Sequence, residues 1–269
     1  MKSLKVLLLV LAICCFPLFG KVYKVGMDFN YPPVSFIDQN GKMAGFEVDL
    51  IKEIAKAANI KIEIVNTDFN KIFDDIYANK IDFAISYIGI TPERLQKFDF
   101  SHAYYKSKSC FYTLYKSDIK TIEDFKGKKI AVASAGSTQE KLAKELSDQV
   151  VVFDNVIDVI NALKTKKVDA MIIDNINIPL AIYGYQFGFD EKELEKKIAP
   201  YKDIYLNLIA TKELEDGVAI LFKKGTELNF ISKINEAIKY IENDGIKSQL
   251  LLETMMQWKI KFLYFWYIV

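Results

Sequence analysis

An α/β chain of two hinge-linked lobes, the first of them discontinuous, is predicted by three observations. Strand and helix patterns alternate over most of the chain, the alternation runs twice, and one more strand and helix follow the second run. Residues 23–27 read as a β-rich strand. Residues 46–58 place Val48, Ile51, Ile54, Ala55 and Ala58 at helical spacing, and 61–65 read as the next strand, which makes a β-α-β unit. A short helix over 69–78, with Phe73, Ile76 and Tyr77 as its expected inner face, leads to a strand over 82–86.

The second run begins with a turn-and-cap signature at 121–125 before Gly127. A strand over 129–133 then runs into Ala135-Gly136-Ser137-Thr138 and a helix over 139–146. Strand 150–153, helix 156–164 and strand 170–173 repeat the pattern. The two halves join near 105–114 and leave a cleft between them. After about residue 207 come a strand at 218–222, a turn at Gly225 and a helix over 229–243 that ends at Asp244-Gly245. If this segment completes the first lobe, the chain crosses between lobes twice, as in binders that close about a hinge. The expected boundaries are 21–106 and 207–254 for lobe one and 107–206 for lobe two.

Charge and cysteine content exclude several function classes. The 269 residues hold 36 Lys plus Arg against 35 Asp plus Glu, one His and three Cys, so the chain is no basic nucleic-acid binder. Lys2 and Lys5 precede an apolar run over 6–13, and Pro17 leads to Gly20, which reads as a secretory signal peptide over 1–20. Without it 34 basic and 35 acidic residues remain, a net charge of −1, and long-range steering of anions is weak. Cys14 and Cys15 raise a lipoprotein signal, but the bulky Ile13 stands where a small residue belongs. Cys110 is then the one remaining cysteine, so an intrachain disulfide framework and a multi-Cys/His metal site are excluded. A Ser-His or Cys-His catalytic pair would have to use His102, and no nucleophile motif stands beside it. No cofactor is expected.

Arg94 is the most informative residue. It is the one Arg beside 35 Lys. A guanidinium offers a planar fork of donors that grips a carboxylate with two parallel hydrogen bonds, which an ammonium cannot do. The plainer alternative is a surface ion pair with Glu93. The placing of Arg94 after a strand and a Gly89-containing turn favours the first, because open α/β sheets bind ligands at the carboxyl ends of their strands.

Here the chain resembles a family. Ile85-Ser86-Tyr87-Ile88-Gly89-Ile90-Thr91-Pro92-Glu93-Arg94, followed by Phe98-Asp99-Phe100-Ser101, is similar to the signature of bacterial periplasmic solute-binding proteins that feed polar amino acids to ABC importers. Asp28-Phe29-Asn30-Tyr31-Pro32-Pro33, Gly45-Phe46-Glu47-Val48-Asp49-Leu50, Gly136-Ser137-Thr138-Gln139-Glu140 and Val168-Asp169-Ala170 through Asp174 follow the family's order, so the likeness spans about residues 22–250. It implies a type II periplasmic-binding-protein-like fold and the capture of an L-amino acid between the lobes, with delivery to an ABC permease of the inner membrane. It also implies a monomer in the periplasm, without nucleic acid and without catalysis.

The resemblance also implies roles for named residues. Arg94 would clamp the α-carboxylate, helped by backbone N–H groups near Gly89 and by the Ser137-Thr138 turn, where a helix start favours an anion. Asp174 would accept from the α-ammonium. Tyr31 and Phe69 would pack on the ligand side chain, while Asp28, Ser86 and Ser134 are weaker candidates for polar contacts. Plainer roles stay open: Asp174 suits a turn cap, Tyr31 and Phe69 suit a core, and Ser137 suits an N-cap.

Three departures stand out. Gly89 replaces a hydroxyl residue that touches the ligand in the family, Tyr87 takes a position often held by a small residue, and the chain ends in an apolar tail over 255–269. Eight residues from 262 to 269 are too few for a bilayer span. A packed terminal segment, the start of a membrane helix and out-of-frame translation compete as readings of the tail. Two other functions therefore remain: the sensing domain of a membrane receptor, and a cyclohexadienyl dehydratase-like enzyme with Asp28 or Glu140 as general acid by position.

Overall fold

The structure, a computed structural model, describes residues 21–38, 40–177, 206–214 and 216–254. The signal peptide expected over 1–20 and the tail over 255–269 lie outside the described residues.

Two five-stranded sheets make the two lobes. In the first, β1 (Val22–Met27) lies between β5 (Lys61–Asn66) and β6 (Phe83–Ala84), parallel to both. Parallel neighbours need crossovers, and α1 (Phe46–Ala57) and α2 (Phe69–Tyr77) supply them. The strand β13 (Leu221–Lys223) then enters antiparallel between β6 and β7 (Phe98–Phe100), so the returning chain completes the first sheet. Between β1 and α1, three short strands form a small sheet: β2 (Asn30–Tyr31), β3 (Ser35–Ile37) and β4 (Met43–Ala44). Strands of two or three residues carry no readable period, and the sequence pattern did not predict them.

In the second sheet β9 (Ile130–Ala133) pairs in parallel with β10 (Val150–Phe153) and β11 (Ala170–Asp174). The strands β8 (Lys108–Leu114) and β12 (Leu206–Glu213) extend that sheet antiparallel. Two boundaries therefore differ from expectation. The stretch 105–114, expected as the junction, is largely β8, and the return expected at 207 falls inside β12. β8 sits between two strands, and its residues from Ser109 to Thr113 are buried without alternation, so it has no amphipathic signature. The crossing itself is shorter: Leu214 N–H donates to Ser107 O and Val218 N–H to Tyr105 O, each at 2.9 Å, which lays the two connections side by side. Val218, expected inside a strand over 218–222, makes isolated bridges with Gly89 and Tyr105.

Each sheet is covered on both faces. In lobe one, Val25, Met27, Phe83 and Ile85 pack against Phe46, Ile51 and Ile54 of α1 and Ile234, Ile238 and Ile241 of α6 (Leu228–Asn243). The opposite face is closed by Ile72 and Ile76 of α2 with Ile81, Ile88 and Leu221. Here the expected inner face of α2 is corrected. Ile72 and Ile76 are its buried residues, Phe73 packs partly buried beside them, and Tyr77 is 45% exposed with its hydroxyl donating to Lys97 O at 2.6 Å. Ile72 and Ile76, four apart, share one helix face, whereas Tyr77 projects away from it. In lobe two, α4 (Thr138–Leu146) and α5 (Val156–Lys164) cover the two faces, and Ser137 and Asn155 cap them through Glu140 N–H and Asp158 N–H. Among the described residues no helix is long and apolar enough to cross a membrane.

Gly45 opens α1 at φ 120°, and a Cβ there would stand 2.4 Å from Val34 O. Neither the backbone angle nor the carbonyl gives way easily. Gly45→Ala is expected to cost about 2 kcal/mol or more, read in a thermal melt as a fall of roughly 4–8 °C.

Candidate functional site

The residues named from the sequence line one cleft. From lobe one come Asp28 just after β1, Tyr31 in β2, Phe69 at the start of α2, Ser86, Tyr87 and Gly89 after β6, and Arg94 in α3 (Pro92–Lys97). From lobe two come Ala133 and Ser134 at the end of β9, Ser137, Thr138 and Gln139 at the start of α4, and Asp174 as the last residue of β11. Most stand at the carboxyl ends of parallel strands, where the backbone splays and leaves a crevice. About 400 Å³ not filled by atoms, counting the part open to solvent, lies between them.

Local chemistry places Arg94. Thr91 caps α3, its Oγ1 accepting from Arg94 N–H at 3.3 Å, and Pro92 starts the helix with φ already suited to it. The guanidinium then reaches the cleft with its face 5.0 Å from the Phe73 ring centre and 5.9 Å from that of Phe69. Nη1 donates to Gly89 O at 2.8 Å and Nη2 to Gly136 O at 2.9 Å, one carbonyl from each lobe. Burial lowers its pKa to about 10, which leaves it charged at neutral pH. The surface ion pair weighed for Glu93 exists with a different partner: Glu93 pairs with Lys141 across the lobes. Arg94 is thus a half-buried cation held by carbonyls, with two of its five donors used by them.

Asp174 lines the same cleft from lobe two. Its carboxylate is buried and accepts from Ser107 Oγ at 2.9 Å, Gln139 Nε2 at 2.6 Å and, across the lobes, the Tyr31 hydroxyl. Burial raises its pKa to about 6 against the pull of these three donors. Asp28 is also buried and raised, mainly by burial, with its oxygens accepting from Asn30 N–H at 2.9 Å and Phe69 N–H at 3.0 Å. Ser86 Oγ accepts from Asp28 N–H at 3.1 Å. Two carboxylates and one guanidinium give the lining a formal charge of −1 when all are ionised.

Other side chains shape the walls. Tyr31 and Tyr87 stand with ring centres 5.8 Å apart. Tyr87 at φ 50° and Ser134 at φ 59° are both left-handed, one from each lobe, a conformation that costs about 1–3 kcal/mol outside glycine and gathers at binding sites. Ser137 Oγ donates to Ala133 O at 2.9 Å while capping Glu140 N–H at 3.1 Å, so its hydroxyl serves the helix start. A Cβ on Gly89 would stand 2.8 Å from Leu214 Cδ2 and 3.2 Å from Thr138 Cγ2 of the facing lobe. Gly89 therefore lets the lobes approach where a hydroxyl residue would intrude. Gln139 and Ala133 were not picked out from sequence. Gln139 was read as a helix residue, and its signal was adjacency to Ser137-Thr138. His102 is exposed, with its N–H on Asn235 Oδ1 at 2.7 Å.

Asp174 yields a pH prediction. With a folded pKa near 6 above an unfolded value of 3.8, ionisation is disfavoured in the fold. Wild-type stability from this group falls as pH rises through that interval, and the loss is complete above it. Asp174→Asn lacks the penalty, so its melting temperature relative to wild type is expected to climb between pH 4 and 7. A flat difference contradicts the assigned burial.

Comparison with known proteins follows the same outline. Residues 23–253 match the model for bacterial extracellular solute-binding proteins, family 3. The chain is 31% identical over 225 residues to an arginine-binding extracellular protein of Bacillus subtilis, covering 82% of this chain and 81% of that one. It is 30% identical over 230 residues to a probable histidine-binding protein of Campylobacter jejuni, covering 85% and 82%. A solved structure of an ancestral arginine-binding protein bound to arginine superposes with a TM-score of 0.70 at 31% identity, covering 86% of this chain and 97% of that one.

Proposed function

The chain belongs to family 3 of the bacterial extracellular solute-binding proteins, and on that premise we propose that its cleft captures an L-amino acid for an ABC importer. The observation that carries the reading is the opposed pair, Arg94 and Asp174, in one cleft lined from both lobes. Three N–H groups of the guanidinium are left for an α-carboxylate, with the free N–H groups at the start of α4 on the facing lobe. An α-ammonium takes the place of neutral donors on Asp174 and stabilises its ionised form. Tyr31, Phe69 and Tyr87 wall the space between and keep water from it.

The charge of the lining favours a further positive group on the ligand. Asp28 is the second carboxylate, and an amino acid with a cationic side chain neutralises it. The arginine- and histidine-binding relatives accord with that reading. The protein acts as a monomeric, non-enzymatic binder outside the inner membrane and presents the closed shape to a permease. As a general acid Glu140 is unsuited. Burial pushes its pKa up, but Lys144 and the Gly136 N–H outweigh this and hold it below the ordinary value.

A thermal-shift screen of the exported part against the twenty amino acids is the direct test, because a ligand of the folded state raises its melting temperature. Cationic amino acids are expected to give the largest shifts. Arg94→Lys is expected to weaken the best ligand at least about tenfold, since charge-assisted hydrogen bonds are worth roughly 1.5–3 kcal/mol each. An undiminished shift in this variant refutes the carboxylate clamp. Ligand ammonium lowers the pKa of Asp174, so affinity should rise with pH through about 6, and Asp174→Asn should remove that step.

A further inference from the structure

Glu47 lies behind the cleft and outside its lining. It sits in the first turn of α1, has no exposed surface, and has one oxygen without a partner among the described residues. The other oxygen accepts from Tyr87 N–H at 2.7 Å and from the Tyr104 hydroxyl. Among the described residues no Lys or Arg forms an ion pair with it. Burial pushes its pKa up to about 7, which shows how costly the position is for a carboxylate. The start of a helix eases a negative charge, yet a fold alone gains little from an acid with an idle oxygen.

The partner explains the residue. Tyr87 is a bulky side chain at φ 50°, a conformation that suits glycine, and its N–H is directed to the Glu47 carboxylate. Its ring is held between Tyr31 and Tyr105, each with its centre 5.8 Å away, and forms part of the cleft wall. Releasing the N–H removes the interaction that offsets the left-handed turn, and the ring shifts with the backbone that carries it.

We propose that Glu47 is a positioning residue for ligand selection: by holding the Tyr87 backbone in its left-handed turn it fixes the Tyr87 ring as the wall that limits the length of the ligand side chain. The proposal rests on the reading of the cleft as an amino-acid site. Tyr87→Gly suits the backbone angle and removes the wall. Glu47→Asp keeps the charge but withdraws the acceptor from the Tyr87 N–H, whereas Glu47→Gln keeps an acceptor oxygen in the same place.

Calorimetric titration of these variants with L-alanine, L-glutamine, L-ornithine, L-lysine and L-arginine tests the idea. The readout is the ratio of Kd values between the shortest and the longest ligand that wild type binds. Tyr87→Gly is expected to shift that ratio toward the longer ligand by at least about threefold, Glu47→Asp to shift it the same way, and Glu47→Gln to leave it at the wild-type value. In the Tyr87→Gly background, Glu47→Asp should leave the ratio unchanged, because the residue through which it acts is gone. If wild type binds none of the five, the amino-acid reading fails and the proposal with it. If wild type binds and the ratio does not move in Tyr87→Gly or Glu47→Asp, the positioning role alone is overturned. Should Glu47→Asp not yield folded protein, the ratio in Tyr87→Gly and in Glu47→Gln decides the matter: the first must move and the second must not.

Discussion

A cation half withdrawn from water and held by carbonyls of both lobes sets the terms for the cleft. Arg94 loses solvation and recovers part of it from two carbonyls, Gly89 O on its own lobe and Gly136 O on the other. The drop of its pKa to about 10 shows that the recovery is incomplete. On the proposed function, the ligand carboxylate completes that deficit. Because one carbonyl comes from each lobe, the position of the charge depends on how the lobes approach. The Thr91 cap and the Phe69 and Phe73 rings hold the side chain in place.

The carboxylates of the cleft pose the complementary problem. Asp28 and Asp174 are buried acids whose hydrogen bonds come from neutral donors, and both are raised from their ordinary range by burial. Each is tolerable in the fold and better satisfied by a cationic group. The Tyr31 hydroxyl on Asp174 joins the lobes, as Arg94 does. On the proposed function, a small molecule with an acid and one or more amines meets both deficits at once.

Much of this was legible in the chain. The α1 face follows from apolar spacing, and Arg94 stands out because it is the one guanidinium among many ammonium groups. What periodicity missed has a common cause. β8 lies between two strands and is buried on both faces, β2 to β4 are too short to show a period, and α2 turns Ile72 inward where Tyr77 was expected. Gln139 escaped notice because a residue on the first turn of a helix looks the same whether it faces solvent or, as here, donates to Asp174.

The sequence by itself determined the alternation of strands and helices, the discontinuous first lobe and the residue types that line the cleft. The alternation follows from local spacing, caps and turn chemistry, which act over a few residues, whereas the cleft residues other than Arg94 follow from the family resemblance. Only the tertiary structure decided that β12 belongs to the second sheet, that Asp174 accepts from the Tyr31 hydroxyl of the far lobe, and that Glu47 stands behind Tyr87. Each of these joins residues dozens of positions apart, and burial and hydrogen-bond partners across such distances exist only once the chain has packed.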